Sequence, residues 1–238
     1  LENALDAGAG TVQVEVREGG RRLIQVADDG CGIAAGEVVL AFGRHTTSKL
    51  QAQEDLYRIR TLGFRGEALS SIAAVARVTM ATRTADDPVG SEVRFEGGQL
   101  VQQARVARPA GTTVTVENLF FNLPARRKFL RSEPTETAHI EHHVTLCALA
   151  RPAVAWRFAV DDRPVFDLAP ATALSDRLRE LYGAEFCAGL VPLDLADGPV
   201  AVHGFIGRPG ISRADRSQQH IFVNRRPVDC RGIGFALA

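Results

Sequence analysis

Thr11-Val-Gln-Val-Glu-Val16 alternates apolar and polar residues with a period of two, and Leu23-Ile-Gln-Val26 resumes the pattern after Arg17-Glu-Gly-Gly20. Successive side chains of a strand point to opposite faces, so this spacing specifies a hairpin with one buried face. Further strands are expected at about 77–84, 90–96, 99–107 and 112–117, and as a pair within 155–168. Helical spacing is rarer. Leu1 and Leu5 lie one turn apart before Gly8, residues 68–76 form a short apolar stretch, and Pro134 opens a helix to about Ala150. Along that helix Ile140, Val144, Cys147 and Ala148 recur at helical intervals. Strands and helices do not alternate regularly, so the chain reads as α+β rather than as a doubly wound parallel sheet.

Near Pro170 the pattern changes as it does at a linker. A helix at about 172–182, strands near 189–195, 199–206 and 219–223, and the start of a last helix follow. Two domains are therefore expected, 1–168 and 169–238, the second a partial, smaller α/β unit. The missing initiator Met and the apolar run that ends the chain (232–238) point to a fragment cut at both ends. Lys and Arg together number 28, as do Asp and Glu, so no global basic field exists and any nucleic-acid contact must be a local patch. No apolar stretch reaches about 18 residues, which argues against a membrane span. Cys31, Cys147, Cys187 and Cys230 are scattered without a Cys-x-x-Cys pair, as expected of reduced thiols in a cytoplasmic protein.

Four segments carry candidate chemistry. In Glu2-Asn3-Ala-Leu-Asp6, Asn3 and Asp6 share one helix face, and an amide or carboxylate oxygen suits Mg²⁺. The same residues also read as a solvated helix end. Asp28-Asp-Gly-Cys-Gly-Ile33 follows a strand, and its glycines let the backbone approach a ligand whose amino group a carboxylate could grip. An ordinary Asp-Gly turn is the plainer alternative. Arg44-His-Thr-Thr-Ser-Lys49 and Leu62-Gly-Phe-Arg-Gly-Glu-Ala68 supply hydroxyls, a Lys and a Gly-x-x-Gly turn opening a helix, a plausible phosphate cradle or simply a flexible loop. No Gly-x-x-x-x-Gly-Lys-Ser/Thr loop is present. Gly111-Thr-Thr113 enters a strand and carries little alone.

In this order and spacing the four segments resemble the GHKL ATPase superfamily and its Bergerat nucleotide-binding fold. The form of the third motif resembles the MutL family of DNA mismatch repair proteins in particular. Leu119-Phe-Phe-Asn-Leu-Pro-Ala-Arg-Arg-Lys-Phe-Leu130 and Phe222-Val-Asn-Arg-Arg-Pro227 resemble the same family. The resemblance implies a two-layer Bergerat-type sandwich with a mixed sheet over 1–168, followed by a transducer-like domain. It implies ATP and Mg²⁺ as cofactors, with Asn3 on the metal, Asp28 on the adenine amino group, Gly32 beside it and Thr113 in support. Thr47, Ser48 and Lys49 would begin a lid over about 43–66, and Gly63, Phe64, Arg65 and Gly66 would contact phosphates. The family's general-base Glu and its second-domain Lys would fall outside the chain, so weak binding and poor hydrolysis are expected of it.

Arg126, Arg127, Lys128 and Arg131 form a dense basic cluster, and Arg225 with Arg226 a second. Both are candidate contacts to DNA, weak and without sequence preference. The resemblance further implies an ATP-dependent homodimer, a mismatch-recognition protein and downstream nuclease or helicase as partners, and a slowly hydrolysing clamp. A non-hydrolysing scaffold and a type II topoisomerase subunit are the alternatives. Glu136, His139 and His143 share a helix face at metal-ligand spacing, but a solvated polar face accounts for them better. Trp156 reads as core.

Overall fold

A computed structural model of the protein describes residues 1–43, 67–211, 218–229 and 232. Thr47, Ser48, Lys49, Gly63, Phe64, Arg65, Gly66 and Cys230 lie outside the described residues. The chain divides into two compact units, Leu1–Val144 with Val154–Ala169, and Thr145–Ala153 with Pro170–Ala238.

The first unit is built on one eight-stranded sheet. Its strands are β1 (Thr11–Arg17), β2 (Leu23–Asp28), β3 (Arg77–Arg83), β4 (Gly90–Glu96), β5 (Gln99–Val106), β6 (Gly111–Glu117), β7 (Ala155–Val160) and β8 (Arg163–Leu168). They lie in the order β5-β4-β3-β6-β2-β1-β7-β8. Every neighbouring pair is antiparallel except β1 and β7, which run parallel with Val12 opposite Trp156 and Val14 opposite Phe158. The sheet is therefore mixed and the fold α+β, as the irregular order of elements predicts. Helices α1 (Glu2–Asp6), α2 (Ala68–Ala73), α3 (Pro124–Lys128) and α4 (Glu133–Ala150) accompany it.

Alternation decides which face is covered. Val12, Val14 and Val16 are buried, as are Val78 and Met80, Val93 and Phe95, and Trp156 and Phe158. Each fully buried side chain of this size stabilises by about 1.5–3 kcal/mol. Against that face lie Val38, Phe42, Ala73 and Ala76, and the Phe42 ring stacks on Phe95 with centroids 4.2 Å apart. The opposite face is polar and cross-linked by its own side chains, with Gln25 donating to Thr115 at 3.0 Å and Arg94 paired with Glu96 at 2.7 Å. On α4 the expected apolar positions Val144, Cys147 and Ala148 are buried.

In the second unit α5 (Leu174–Ala188) precedes a hairpin of β9 (Leu190–Asp197) and β10 (Val200–Gly207). A second, minimal hairpin pairs β11 (Phe222–Val223) with β12 (Arg226–Pro227). The α5 helix outruns its expected end near 182 because it continues through a kink at Gly183, where φ is 84°. Arg177 is fully buried; it donates to Glu180 and to the Pro152 carbonyl, both at 2.7 Å, tying α5 to the turn before β7. Among the described residues Cys31, Cys147 and Cys187 form no disulfide. No helix among the described residues is long and apolar enough to cross a membrane.

Candidate functional site

Asp28 and Asp29 end β2 with different tasks. The Asp29 carboxylate accepts the Gly10 and Thr11 N–H groups at 2.7 and 2.8 Å, fixing the entry of β1. Asp28 is half-buried and accepts the Gly30 N–H at 3.0 Å and the Thr112 N–H. Burial raises its pKa above the ordinary aspartate value, opposed by those two N–H groups and by the nearby Arg108 guanidinium. A partly desolvated carboxylate with unused lone pairs at a strand end is a strong acceptor for a ligand amino group.

The loop that follows brings α1 to this carboxylate. Cys31 N–H donates to the Ala7 carbonyl at 3.0 Å, and Ala7 N–H donates to the Asn3 carbonyl at 2.9 Å. Asn3 thus stands one helical turn from the residue that receives the Asp28 loop, with its side chain exposed. Gly32 closes the loop at a φ of 73°, and a Cβ there would stand 2.1 Å from the Arg83 carbonyl oxygen. Gly111, at a φ of 117°, is equally tight against the Asp28 carbonyl, where a Cβ would stand 2.1 Å away. Only residues without a side chain permit these approaches.

Thr113 does not join this group. The β2–β6 register sets Asp28 opposite Thr112 and Ala27 opposite Thr113. Directly opposed residues share a face, so Thr112 lies on the face of Asp28 and Thr113 on the other. There the Thr113 hydroxyl accepts from Arg108 at 3.4 Å. The register thus sets Thr112, and not the expected Thr113, beside Asp28, because the parity of a strand is fixed by its pairing and not by its sequence. Sequence reasoning also missed Thr82 and Arg108, which sit in no motif.

Arg126, Arg127 and Lys128 are exposed on α3, and none pairs with a carboxylate among the described residues. Their helix is anchored beside α2: Phe120 N–H donates to the Val75 carbonyl at 2.7 Å, and Asn122 to the Ala74 carbonyl at 2.9 Å. Phe129 follows, 86% exposed. Arg225 is exposed in the β11–β12 turn, where Asn224 and Arg225 have φ of 50° and 65°, and Arg226 is half-buried opposite Val223. Glu136 and His139 hold Arg131, whose N–H donates to Glu136 at 2.8 Å and whose guanidinium lies 2.7 Å from the His139 ring nitrogen. Among the described residues no group of three or more His, Cys, Asp or Glu is placed to hold a metal ion. An exposed amide oxygen such as that of Asn3 fits an ion whose other ligands are phosphate oxygens and waters, the habit of Mg²⁺.

Comparison with known proteins identifies the family. Residues 1–120 match the family described as histidine kinase-, DNA gyrase B- and HSP90-like ATPase, and residues 178–238 match the DNA mismatch repair protein C-terminal domain. The DNA mismatch repair protein MutL of Opitutus terrae is 45% identical over 237 residues, 100% of this chain and 38% of that protein. MutL of Symbiobacterium thermophilum is 47% identical, over 100% of this chain and 37% of its own length. The chain thus spans well under half of the relatives it matches. Among solved structures, the Aquifex aeolicus MutL ATPase domain complexed with ADP superposes with a TM-score of 0.74 at 28% identity, covering 99% of this chain and 82% of that one. The N-terminal domain of a DNA repair protein superposes at 0.80 with 25% identity, covering 96% and 72%. The chain belongs to the histidine kinase-, DNA gyrase B- and HSP90-like ATPase family, and within it to the N-terminal ATPase region of the MutL mismatch repair proteins.

Proposed function

We propose that this chain binds Mg-ATP and serves as the slowly hydrolysing switch of a DNA mismatch repair clamp. The observation that carries the reading is the half-buried Asp28 carboxylate, with α1 and its Asn3 drawn to the loop that follows. Asp28 takes the adenine amino group, Gly32 lets the loop approach the base, and Asn3 offers an oxygen to the metal on the phosphates. Thr112 replaces Thr113 as the supporting hydroxyl. By the family pattern Thr47, Ser48 and Lys49 belong to the lid, and Gly63, Phe64, Arg65 and Gly66 to the phosphate cradle.

The γ-phosphate supplies contacts that only an ordered lid can make, so ATP favours that state and the pairing of two N-terminal regions; hydrolysis releases it. The clamp couples a mismatch-recognition protein to a downstream nuclease or helicase and touches DNA through Arg126, Arg127, Lys128, Arg225 and Arg226. Residues 1–168 form the nucleotide domain and 169–238 the start of a transducer-like one. Equilibrium binding of ATP tests the core of this reading. Asp28→Asn should weaken it by about 1–3 kcal/mol, roughly fivefold to 150-fold, through loss of a charge-assisted hydrogen bond. Undiminished affinity would overturn it.

A further inference from the structure

Thr82 lies near the end of β3 with no exposed surface. Its hydroxyl meets three groups: it accepts the Ile33 N–H at 2.9 Å, donates to the Gly111 carbonyl at 3.1 Å, and stands 3.0 Å from the Thr112 hydroxyl oxygen. A hydroxyl has one hydrogen and two lone pairs. With the hydrogen given to Gly111 and one lone pair taken by Ile33, the remaining lone pair can only accept. Thr112 is therefore the donor in the third bond. Its hydrogen turns inward, and its oxygen keeps only lone pairs for a ligand.

Resting on the assignment of Asp28 to the base, we infer that Thr82 is a positioning residue that determines which purine the site accepts. By fixing the direction of the Thr112 hydroxyl it leaves an edge made of acceptors alone, the Asp28 carboxylate and the Thr112 oxygen. An exocyclic amino group satisfies such an edge by giving one hydrogen to Asp28 and the other to the Thr112 oxygen. An exocyclic carbonyl sets lone pair against lone pair, and a desolvated mismatch of that kind discriminates strongly. Thr82 also joins the loop after Asp28, through Ile33, to the start of β6, through Gly111, so it holds both sides of the edge in one register. It does this without touching the base.

The test compares ATP with inosine triphosphate, which carries a carbonyl where ATP carries the amino group. Both are titrated into the full-length protein, its Thr82→Val and Thr82→Ser variants, and Asp28→Asn. Thr82→Val frees the Thr112 hydrogen to point at the ligand, so the ratio of ATP to inosine triphosphate affinity should fall at least about fivefold. Thr82→Ser keeps the hydroxyl and should hold the ratio within about twofold of the parent. Should Thr82→Val lack a native thermal transition, Thr82→Cys takes its place, with a ratio between the parent's and one about fivefold lower. A valine or cysteine variant that loses affinity for both nucleotides at an unchanged ratio marks Thr82 as merely structural and overturns the inference. Asp28→Asn separates the two claims: if it binds ATP like the parent, the assignment of the base contact fails instead.

Discussion

Gly32 sits so close to Arg83 that any side chain at position 32 would begin 2.1 Å from the Arg83 carbonyl oxygen. That oxygen belongs to the backbone at the end of β3, so the neighbour cannot rotate away. Gly32→Ala should cost at least about 2 kcal/mol, from the positive φ and the displaced strand end together. Gly36, with open space around it, is the control, and Gly36→Ala should stay within about 0.5 kcal/mol. Urea denaturation of both variants checks this; equal stabilities would show that the loop is not clamped.

Nucleotide binding should weaken in acid earlier than an ordinary aspartate would dictate. Burial raises the Asp28 pKa above 3.8, and only the carboxylate accepts a hydrogen bond from an amino group at full strength. Affinity therefore falls as pH drops through this raised value, and the acid limb disappears in Asp28→Asn. A limb that persists in the variant assigns the titration elsewhere.

The ligand-free protein has the opposite sign. A carboxyl whose pKa is raised on folding favours the folded state when protonated. Its contribution is fully present below 3.8 and is lost as pH rises through the folded value. At neutral pH the ionised Asp28 thus opposes folding, so Asp28→Asn should melt no lower than the parent while losing its nucleotide. A lower melting temperature for the variant, measured by calorimetry without ligand, would contradict this.

Charge reversal on α3 should act on DNA affinity uniformly across sequences. Each phosphate contact adds about 0.9 to the slope of log affinity against log salt. Arg126→Glu and Arg127→Glu should each flatten that slope by roughly one, and Arg226→Glu tests the second cluster in the same way. A slope that does not move in a given variant removes that residue from the interface.

Strand positions were legible because one buried face imposes a strict period of two, as in Val12, Val14 and Val16. The short α3 was not, since Pro-Ala-Arg-Arg-Lys has no buried face to reveal a period. Its helix is held by neighbouring residues, Phe120 and Asn122, bonded to the turn that follows α2. Asp28 and Asn3 were singled out by the family resemblance of the four segments taken together, since each segment alone also reads as an ordinary turn or helix end. Thr82 could not be, because its value lies in contacts to Ile33, Gly111 and Thr112 that only the pairing of three strands creates. That Thr112 rather than Thr113 faces Asp28 was illegible for the same reason: two adjacent threonines differ only in the face they take.

Trp156 is fully buried opposite Val12 across the one parallel pairing of the sheet. Trp156→Ala should cost about 3–5 kcal/mol, read by thermal or chemical denaturation. A smaller loss would mean that the sheet does not depend on this seam.

That seam joins Thr11 to Ala155, which lie far apart along the unit's chain. Contacts so distant along the polymer are expensive in loop entropy and form late. During synthesis the first strand emerges long before its partner, and until β7 arrives one rim of β1 remains open to whatever strand is nearby. The segment bearing Asn3 precedes that strand directly, so this half of the proposed pocket is expected to settle only when β1 is paired on both sides. Nascent chains stopped short of β7 should accordingly be the aggregation-prone ones, and the ability to hold a nucleotide should appear abruptly, with the closing strand.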